Sequence, residues 1–316
     1  MSAKRQQLLP VEVGLTAAIV AVRGAEPLIR IAPGGTEPAL PSGPFDPVAH
    51  RTFEIGLRDW VTQQTGAPLG YVEQLYTFGD RGRHARAGDR DPHIVSVGYL
   101  ALTRAAAERS AADFHPWYRF FPWEDFRHGR PALVDAVILP ALAGWAASGG
   151  ALDTRGWPSR EERVRQLFGT QGAVFNEENV LERYELLYSA GLVAEAGRDG
   201  RHASSVAGVG LPMRHDHRRI LATAMGRLRA KLKYRPVIFE LMPNTFTLTH
   251  LQRTVEAISG RHLHKQNFRR LVEASQVVEA TGQTAHGTGG RPAALYRFRR
   301  EVLQERPAPG LRVGRG

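Results

Sequence analysis

Between Asp216 and Phe298 the chain is punctuated so regularly that few folds can accept it. Ile220, Leu221, Ala224, Leu228 and Leu232 recur at helical spacing and mark one apolar face, while Arg218, Arg219, Arg227, Arg229 and Lys231 fill much of the rest. Pro236 stops that helix, and Val237 to Leu241 is a short apolar run. Thr247 or Thr249 caps a second helix with Leu248, Leu251, Val255 and Ile258 on its apolar face. Thr249 and Gln252 have capping-box spacing, and Gly260 supplies the stop. A third helix, from about Leu263 to Ala274, turns Phe268, Leu271 and Val272 inward and Lys265, Gln266, Arg269, Arg270 and Glu273 outward. Val277-Val278, a glycine-rich tip from Gly282 to Gly290, Arg291-Pro292 and the alternating Ala294–Phe298 then read as a hairpin.

Helix, helix, short turn, helix and basic-tipped hairpin is the order of a winged helix-turn-helix. In that arrangement the third helix enters the major groove and the hairpin lies near phosphates or the minor groove. Charge agrees. Residues 211–316 hold 20 Lys and Arg against 7 Asp and Glu, leaving residues 1–210 with 22 against 24 of the chain's 42 and 31. Such asymmetry points to a polyanion-binding module. Arg269 and Arg270 are the candidates for guanine edges or phosphates, and Gln266 and Asn267 for adenine, with Lys265 and Arg291 completing the set. A solvated basic helix in an ordinary α+β domain, or a winged helix that binds protein, is the competing reading of the same pattern.

A chain of 316 residues accommodates two domains. It contains no cysteine, which excludes disulfides, thiolate zinc sites and cysteine nucleophiles. The apolar run from Val13 to Val22 follows Lys4 and Arg5, as a secretory signal would, but Pro10, Glu12 and Arg23 frame it wrongly for one. It is also far shorter than the roughly 20 residues of a membrane span. A buried strand and a cytoplasmic protein are the expectation.

Along the rest of the chain, residues 13–22 and Leu28 to Ile31 read as strands about a Gly24–Pro27 turn, followed by a Pro/Gly-rich loop from Pro33 to Pro47. A helix from about Val48 to Thr65 stops at Gly66; Tyr71 to Tyr76 and Ile94 to Leu102 are strands, with a charged loop between Gly79 and Asp91. Five more aromatics crowd the stretch between Phe114 and Phe126, and a helix follows Pro131 up to about Ala147. A short helix around Val164 to Phe168 and one capped by Asn176 and ended by Gly191 precede a linker at 197–210. The segment Tyr188–Ala196 faintly echoes Val272–Ala280, a helix stop before a strand. Strands first with helices interleaved imply an α+β or α/β/α sandwich. His215-Asp216-His217 and His262/His264 carry structural or capping roles, because histidines two apart on a helix diverge.

Leu40–Phe45 (LPSGPF), Tyr71–Arg83 (YVEQLYTFGDRGR) and Asp91–Leu102 (DPHIVSVGYLAL) carry a specific resemblance. So do Asp216-His217, Leu228–Tyr234, Phe246–Leu248, Asn267–Arg270 and Arg291–Phe298 near the other end. Together, over roughly 11–125 and 211–300, the chain resembles Nudix-related transcriptional regulators of NAD metabolism, the NrtR/NadQ type. The resemblance implies an α+β chain: a Nudix-like α/β/α sandwich as sensor over 1–148, a helical insert and linker over 149–210, a winged helix-turn-helix over 211–300 and a flexible tail over 301–316.

A working Nudix box holds Mg²⁺ against a diphosphate with a Glu-Glu pair on one helix face, because the ion needs hard anionic oxygens. With Gly66 as the closing glycine, those positions are Gln63 and Gln64, and the Arg-Glu positions fall on Asp59 and Trp60, or on Arg58 and Asp59 with one residue of slip. Glutamine is uncharged, so the reading is a catalytically silent domain with no metal and no required cofactor. Such a cleft can still bind a nucleotide. Arg81, Arg83, Arg86 and Arg90 are candidate phosphate contacts and Tyr76 or Phe78 candidate base platforms. The resemblance implies ADP-ribose, NAD or an adenine nucleotide as effector, and a nucleoid-associated homodimeric repressor on a palindromic DNA operator of NAD biosynthesis or salvage genes. The alternative reading is a Nudix hydrolase of an ADP-ribose-like nucleotide diphosphate, served by Glu54 or Asp59.

Overall fold

The computed structural model describes residues 11–66, 69–80, 93–104, 113–148, 158–201, 208–285, 292–305 and 311. Its centre is β1 (Val11–Arg23), whose largely apolar stretch from Leu15 to Val22, broken only by Thr16, reflects a strand covered on both faces. Gly24, at φ 62, turns it into the antiparallel β2 (Glu26–Arg30). Along the same edge but earlier, Gly14 to Thr16 pair with β3 (Ser42–Pro44), a three-residue strand inside the stretch read as loop. Helix α1 (Phe53–Thr65) begins five residues later than the spacing implied. Asp46 takes the N–H groups of Val48 and Ala49 into a turn, and Thr52 is the cap that Ile55 uses. Strand β4 (Val72–Phe78) pairs antiparallel with β5 (His93–Leu102), which runs parallel to β1; β6 (Phe114–Pro116) closes the far edge against β2.

After β6 come 3₁₀ turns at Trp117–Arg119 and Pro122–Glu124. The helix after Pro131 starts with a π-helical segment, Val134–Ile138, before α2 (Leu139–Ala147). Leu139 N–H bonds Val134 O, five residues back, and Pro140, which has no N–H to give, sits at the join. Helix α3 (Arg160–Phe168) is capped by Ser159. Helix α4 (Val180–Ser189) is not capped by Asn176, whose side chain accepts from Glu178 N–H in a local turn instead. Helix α5 (Ala194–Arg198) stands where the Tyr188–Ala196 echo implied a strand, which ends the repeat reading.

Helix α6 (His217–Leu232) corrects the sequence reading most. It is buried over most of its circumference, and Arg218 and Arg229 are fully enclosed rather than solvated. On one sheet face Leu15, Ala17, Ile19, Val97 and Tyr99 pack on Leu57 and Val61 of α1. On the other, Ala18, Val20, Leu100 and Leu102 share a core with Ile220, Leu221, Ala224 and Leu228 of α6. The helix read as the first of the DNA-binding unit is therefore also the third layer of the sandwich.

Beyond it, Val237–Leu241 is a 3₁₀ turn, and α7 (Leu248–Ser259) is capped by Thr247, not Thr249. Gln252 forms no capping box, because its amide donates to Leu263 O at 2.8 Å. Helix α8 (Lys265–Ser275) leads through Gln276, at φ 50, into the hairpin of β7 (Val278–Ala285) and β8 (Ala293–Phe298). Phe246 and Tyr296 exchange backbone hydrogen bonds of 2.9 and 2.8 Å, adding a third rung to the wing. The segment read as a flexible tail opens with a helical turn, α9 (Val302–Glu305), in which Val302 is buried, and Leu311 is buried as well. Within the expected linker, Val209 is likewise buried.

One carboxylate joins these layers. Glu124 accepts from Arg183 Nε at 2.6 Å and Nη2 at 2.8 Å, and from Arg229 Nη1 at 2.7 Å, all without solvent exposure. Arg229 Nε also donates to Ile258 O, at the end of α7, at 3.0 Å. Burial lowers the Arg229 pKa, but Tyr118 and Glu124 outweigh it and raise the value, so the guanidinium stays charged. Glu124→Ala would leave two buried guanidinium groups without their counter-ion, and should lower unfolding free energy by about 3–5 kcal/mol in urea titration. A loss under about 1 kcal/mol would show that water or backbone oxygens substitute for the carboxylate.

Candidate nucleic-acid interface and ligand cleft

Phe268 and Val272 of α8 enter the core, as their spacing requires, which turns Lys265, Gln266, Asn267, Arg269 and Arg270 to solvent. None of these five makes an ion pair among the described residues. The contrast with α6 and its surroundings is sharp. Arg218, Arg219, Arg227, Arg229, Lys231, Lys233 and Arg261 each face an acid from the first two thirds of the chain: Glu195, Asp80 and Glu185, Glu73, Glu124, Glu73, Glu177 and Glu178, and Glu177. Much of the C-terminal positive charge is thus spent inside the protein, and the sequence argument from net charge overcounted the surface cations. Among the described residues of the last third, the cations without an acid partner are Lys265, Arg269 and Arg270 on α8, Arg253 on α7, and Arg214, Arg235 and Arg300 elsewhere; of these, Lys265, Arg269 and Arg253 line one groove.

An open groove of about 840 Å³ runs between Lys265 and Arg269 on α8, Thr249 and Arg253 on α7, and Pro292 to Ala294 on the wing. The first turn of α7 borders it, adding the positive end of a helix dipole. His250 lies in the same wall; burial, with the Arg253 charge behind it, holds its pKa below the usual histidine range. The sequence reading found Lys265 and Arg269 and missed Thr249, His250 and Arg253. The capped start of α7, already legible, was the signal for them. Gln266, Asn267 and Arg270 are exposed on α8 outside the groove, and Arg291 lies outside the described residues.

The second concavity, about 850 Å³, opens where β1 changes partner from β2 to β3. Gly14, Thr16 and Ser96 form its floor, Ser42 to Pro44 and Gln64 one side, and the Gly34-Gly35 turn with Arg214 and His215 the other. Gly43 is required there: a Cβ would stand 2.3 Å from the Trp60 ring, whose Nε1 donates to Pro44 O at 2.7 Å. On α1 the side chains at the expected metal positions are engaged with one another. Gln63 donates to Asp59 at 2.9 Å, Asp59 meets His50 Nε2 at 3.1 Å, and Gln64 donates to Ser42 O at 2.8 Å. Glu54 pairs with Arg58, and Glu73 with Lys231. Among the described residues no three His, Asp or Glu side chains are grouped to hold a metal ion. These side chains do not fit Mg²⁺.

The expected nucleotide contacts fare unevenly. Tyr76 is 56% exposed on β4 but does not line the cleft. Phe78 is only 4% exposed and lies under the Arg219 guanidinium, 5.3 Å from its ring centroid, so it is closed as a base platform. Arg81, Arg83, Arg86 and Arg90 fall outside the described residues. Instead the cleft wall carries Arg214 and His215, signalled in the sequence only by the His215-Asp216-His217 triplet. The structural role expected for that triplet holds for His217, whose Nδ1 accepts Leu40 N–H at 2.9 Å.

Comparison with known proteins adds to this geometry. Residues 238–298 match the family model for the NrtR DNA-binding winged helix domain. The ADPR responsive transcriptional repressor NtrR of Acinetobacter baylyi (strain ATCC 33305 / BD413 / ADP1) is 46% identical over 88 residues, 28% of this chain and 35% of that protein. The match thus spans about a third of that relative's length. Shewanella oneidensis NrtR complexed with a 27mer DNA has the same fold, with a TM-score of 0.53 at 19% identity over 92% of this chain and 95% of that one. A second structure of Shewanella oneidensis NrtR gives 0.52 at 19% identity, over 92% and 94%. The resemblance to the NrtR type is borne out, in sequence over the winged helix and in fold over the whole chain, a layered sandwich joined to a winged helix.

Because α1 offers amides where a metal site needs carboxylates, titration calorimetry with Mg²⁺ should give no heat beyond dilution. A Gln63→Glu/Gln64→Glu variant, which restores two hard anionic ligands, should gain measurable Mg²⁺ binding. Wild-type binding at micromolar Mg²⁺ would overturn the silent-site reading.

Proposed function

We propose that the protein is a transcriptional repressor that grips double-stranded DNA with its winged helix and carries a Nudix-like sensor that binds a nucleotide without cleaving it. The observation that carries this reading is the row of exposed cations on α8. Lys265, Arg269 and Arg270 are left unpaired among the described residues while seven neighbouring cations are neutralised internally. Evenly distributed basic surface would have no reason to divide that way; a helix that trades counter-ions for phosphates does. Lys265, Arg269 and the start of α7 would position the duplex through phosphates, and Arg270, Gln266 and Asn267 would read base edges. The relationship to the winged helix of NrtR supports the same role.

Two copies on a palindromic operator would place recognition helices one turn, about 34 Å, apart. ADP-ribose is the preferred effector, ahead of NAD or an adenine nucleotide, because the Acinetobacter relative is an ADPR responsive repressor. Target genes in NAD biosynthesis or salvage, and a cytoplasmic, nucleoid-associated location, follow from that reading. Among the described residues no helix is long and apolar enough to cross a membrane. Lack of a metal-binding carboxylate set on α1 supports sensing over hydrolysis.

Fluorescence anisotropy with the gene's own upstream DNA tests the proposal. Wild-type affinity should fall steeply with salt, and Arg269→Ala/Arg270→Ala should cost about 1–3 kcal/mol per arginine with a shallower salt slope. If that DNA, and then a random pool taken through selection, gave no preferred sequence, the repressor reading would fail. Mg²⁺-dependent AMP release from ADP-ribose would then favour the hydrolase.

A further inference from the structure

The cleft wall contributed by Arg214 and His215 belongs to neither sheet nor α1. It is the segment that launches α6, and it is stitched in place from both sides. Arg214 N–H bonds Pro38 O at 2.9 Å, and Leu40 N–H bonds His217 Nδ1, tying the junction to the segment that leads from the Gly34-Gly35 turn to β3. Behind it, Arg198 donates to Met213 O at 3.0 Å and His215 O at 2.9 Å, while Glu195 takes Met213 N–H at 3.0 Å and Arg218 at 3.1 Å. His215 is held at φ 51, a left-handed conformation that costs a non-glycine residue energy and persists only where surroundings enforce it.

Within this braced segment one strong donor is uncommitted. The Arg214 side chain is exposed, lines the cleft and makes no hydrogen bond or ion pair among the described residues. It shares the cleft lining with the Gly34-Gly35 turn, whose backbone is exposed and in which Gly34 sits at φ 83. Of the acids lining the cleft, Glu37 is already paired with Arg198 at 3.3 Å, leaving Glu12 at the rim. A planar guanidinium beside exposed backbone suits a diphosphate, which it can grip with two parallel hydrogen bonds.

We infer that Arg214 is the anion contact of the cleft, holding the diphosphate of the effector, and that the ligand thereby pulls on the first turn of α6. This rests on the nucleotide-sensor reading above and assigns it a residue and a route. The route continues along α6 to Arg229, whose guanidinium bonds the end of α7 through Ile258 O. Effector occupancy and the placement of the DNA-binding helices are then one mechanical event, and each must weaken the other equally.

The test is calorimetry of the full-length protein with ADP-ribose, comparing wild type with Arg214→Ala and Arg214→Lys, all checked for folding by circular dichroism. The alanine variant should bind ADP-ribose about ten- to a hundredfold more weakly, as loss of a charge-assisted contact implies. Lysine should recover part of the loss, and wild-type affinity should fall more steeply with salt than that of the alanine variant. In anisotropy with labelled operator DNA, the ADP-ribose concentration that half-releases the duplex should rise by the same factor. Equal ADP-ribose affinity in wild type and Arg214→Ala would overturn this assignment and leave the sensor reading standing. A weaker affinity with an unshifted release concentration would overturn the route through α6. Wild-type protein giving no heat with ADP-ribose, NAD or AMP would overturn the sensor reading and this inference with it.

Discussion

Two guanidinium groups, Arg183 and Arg229, converge on one enclosed carboxylate, Glu124, and three otherwise separate parts of the chain are fixed by that choice. A triad with two positive charges and one negative is tolerable in a core only if other acceptors disperse the excess. Here they do. Arg183 also donates to Leu167 O and Asn176 O, Arg229 to Glu177 O and Ile258 O, and the Phe175 ring lies 4.4 Å from the Arg183 guanidinium. Burying such a cluster costs about as much as it returns, so its contribution is registration rather than net stability. Helix α6 cannot slide by even one residue against α4 or α7 without stranding a charge. Gly260 completes the arrangement: at φ 71 it ends α7, and a Cβ there would stand 2.5 Å from Glu124 O and 2.7 Å from Arg229 Nη2.

This registration explains why the charge of the chain is divided as it is. Acids of the first two thirds and bases of the last third are complementary halves of an internal interface, with Glu73, Glu177 and Glu195 on one side and Lys231, Lys233, Arg261 and Arg218 on the other. A sum over residues cannot distinguish a cation that meets a carboxylate across a domain boundary from one that awaits a phosphate. The division appears only when each side chain is followed to its partner. After that subtraction Lys265 and Arg269 of α8 and Arg253 of α7 stand together along one groove without an acid partner among the described residues, which is a sharper argument for nucleic-acid binding than the total was.

How much was legible beforehand follows from the range of the forces involved. Short-range signals were read well: the stop at Gly260, the apolar faces of α7 and α8, and the strand at His93–Leu102. Signals that depend on distant partners were not. Arg218 and Arg229 look like surface arginines because nothing nearby in sequence announces Glu195 or Glu124. Phe78 resembled a stacking platform because alternation along β4 does not show that Arg219 covers it. Thr249 and Gln252 have the spacing of a capping box, yet Thr247 supplies the cap and Gln252 is drawn to Leu263 O, a tertiary demand that overrides a local pattern. The cleft itself was hidden, since it is created by β1 changing partner between β2 and β3, and its wall comes from residues some 180 positions later.

A helix that serves two layers at once is an unusually direct conductor. Its 16 residues span about 24 Å as an α-helix, and over that length it behaves as a rod rather than a spring. At one end it carries the left-handed His215 junction and the cleft wall; toward the other, Arg229 is bonded to α7, whose first turn borders the groove beside α8. The salt bridges that hold α6 to the sandwich favour one discrete placement over a continuum, because partial displacement would break hydrogen bonds without forming new ones. On the proposed reading, a ligand in the cleft has two outcomes available to it: to leave the helix where the buried triad holds it, or to shift α6 and α7 together. On the sensor reading proposed above, a helix placed this way would report an occupied cleft without any catalytic step, which fits the amides that stand on α1 where a metal site needs carboxylates.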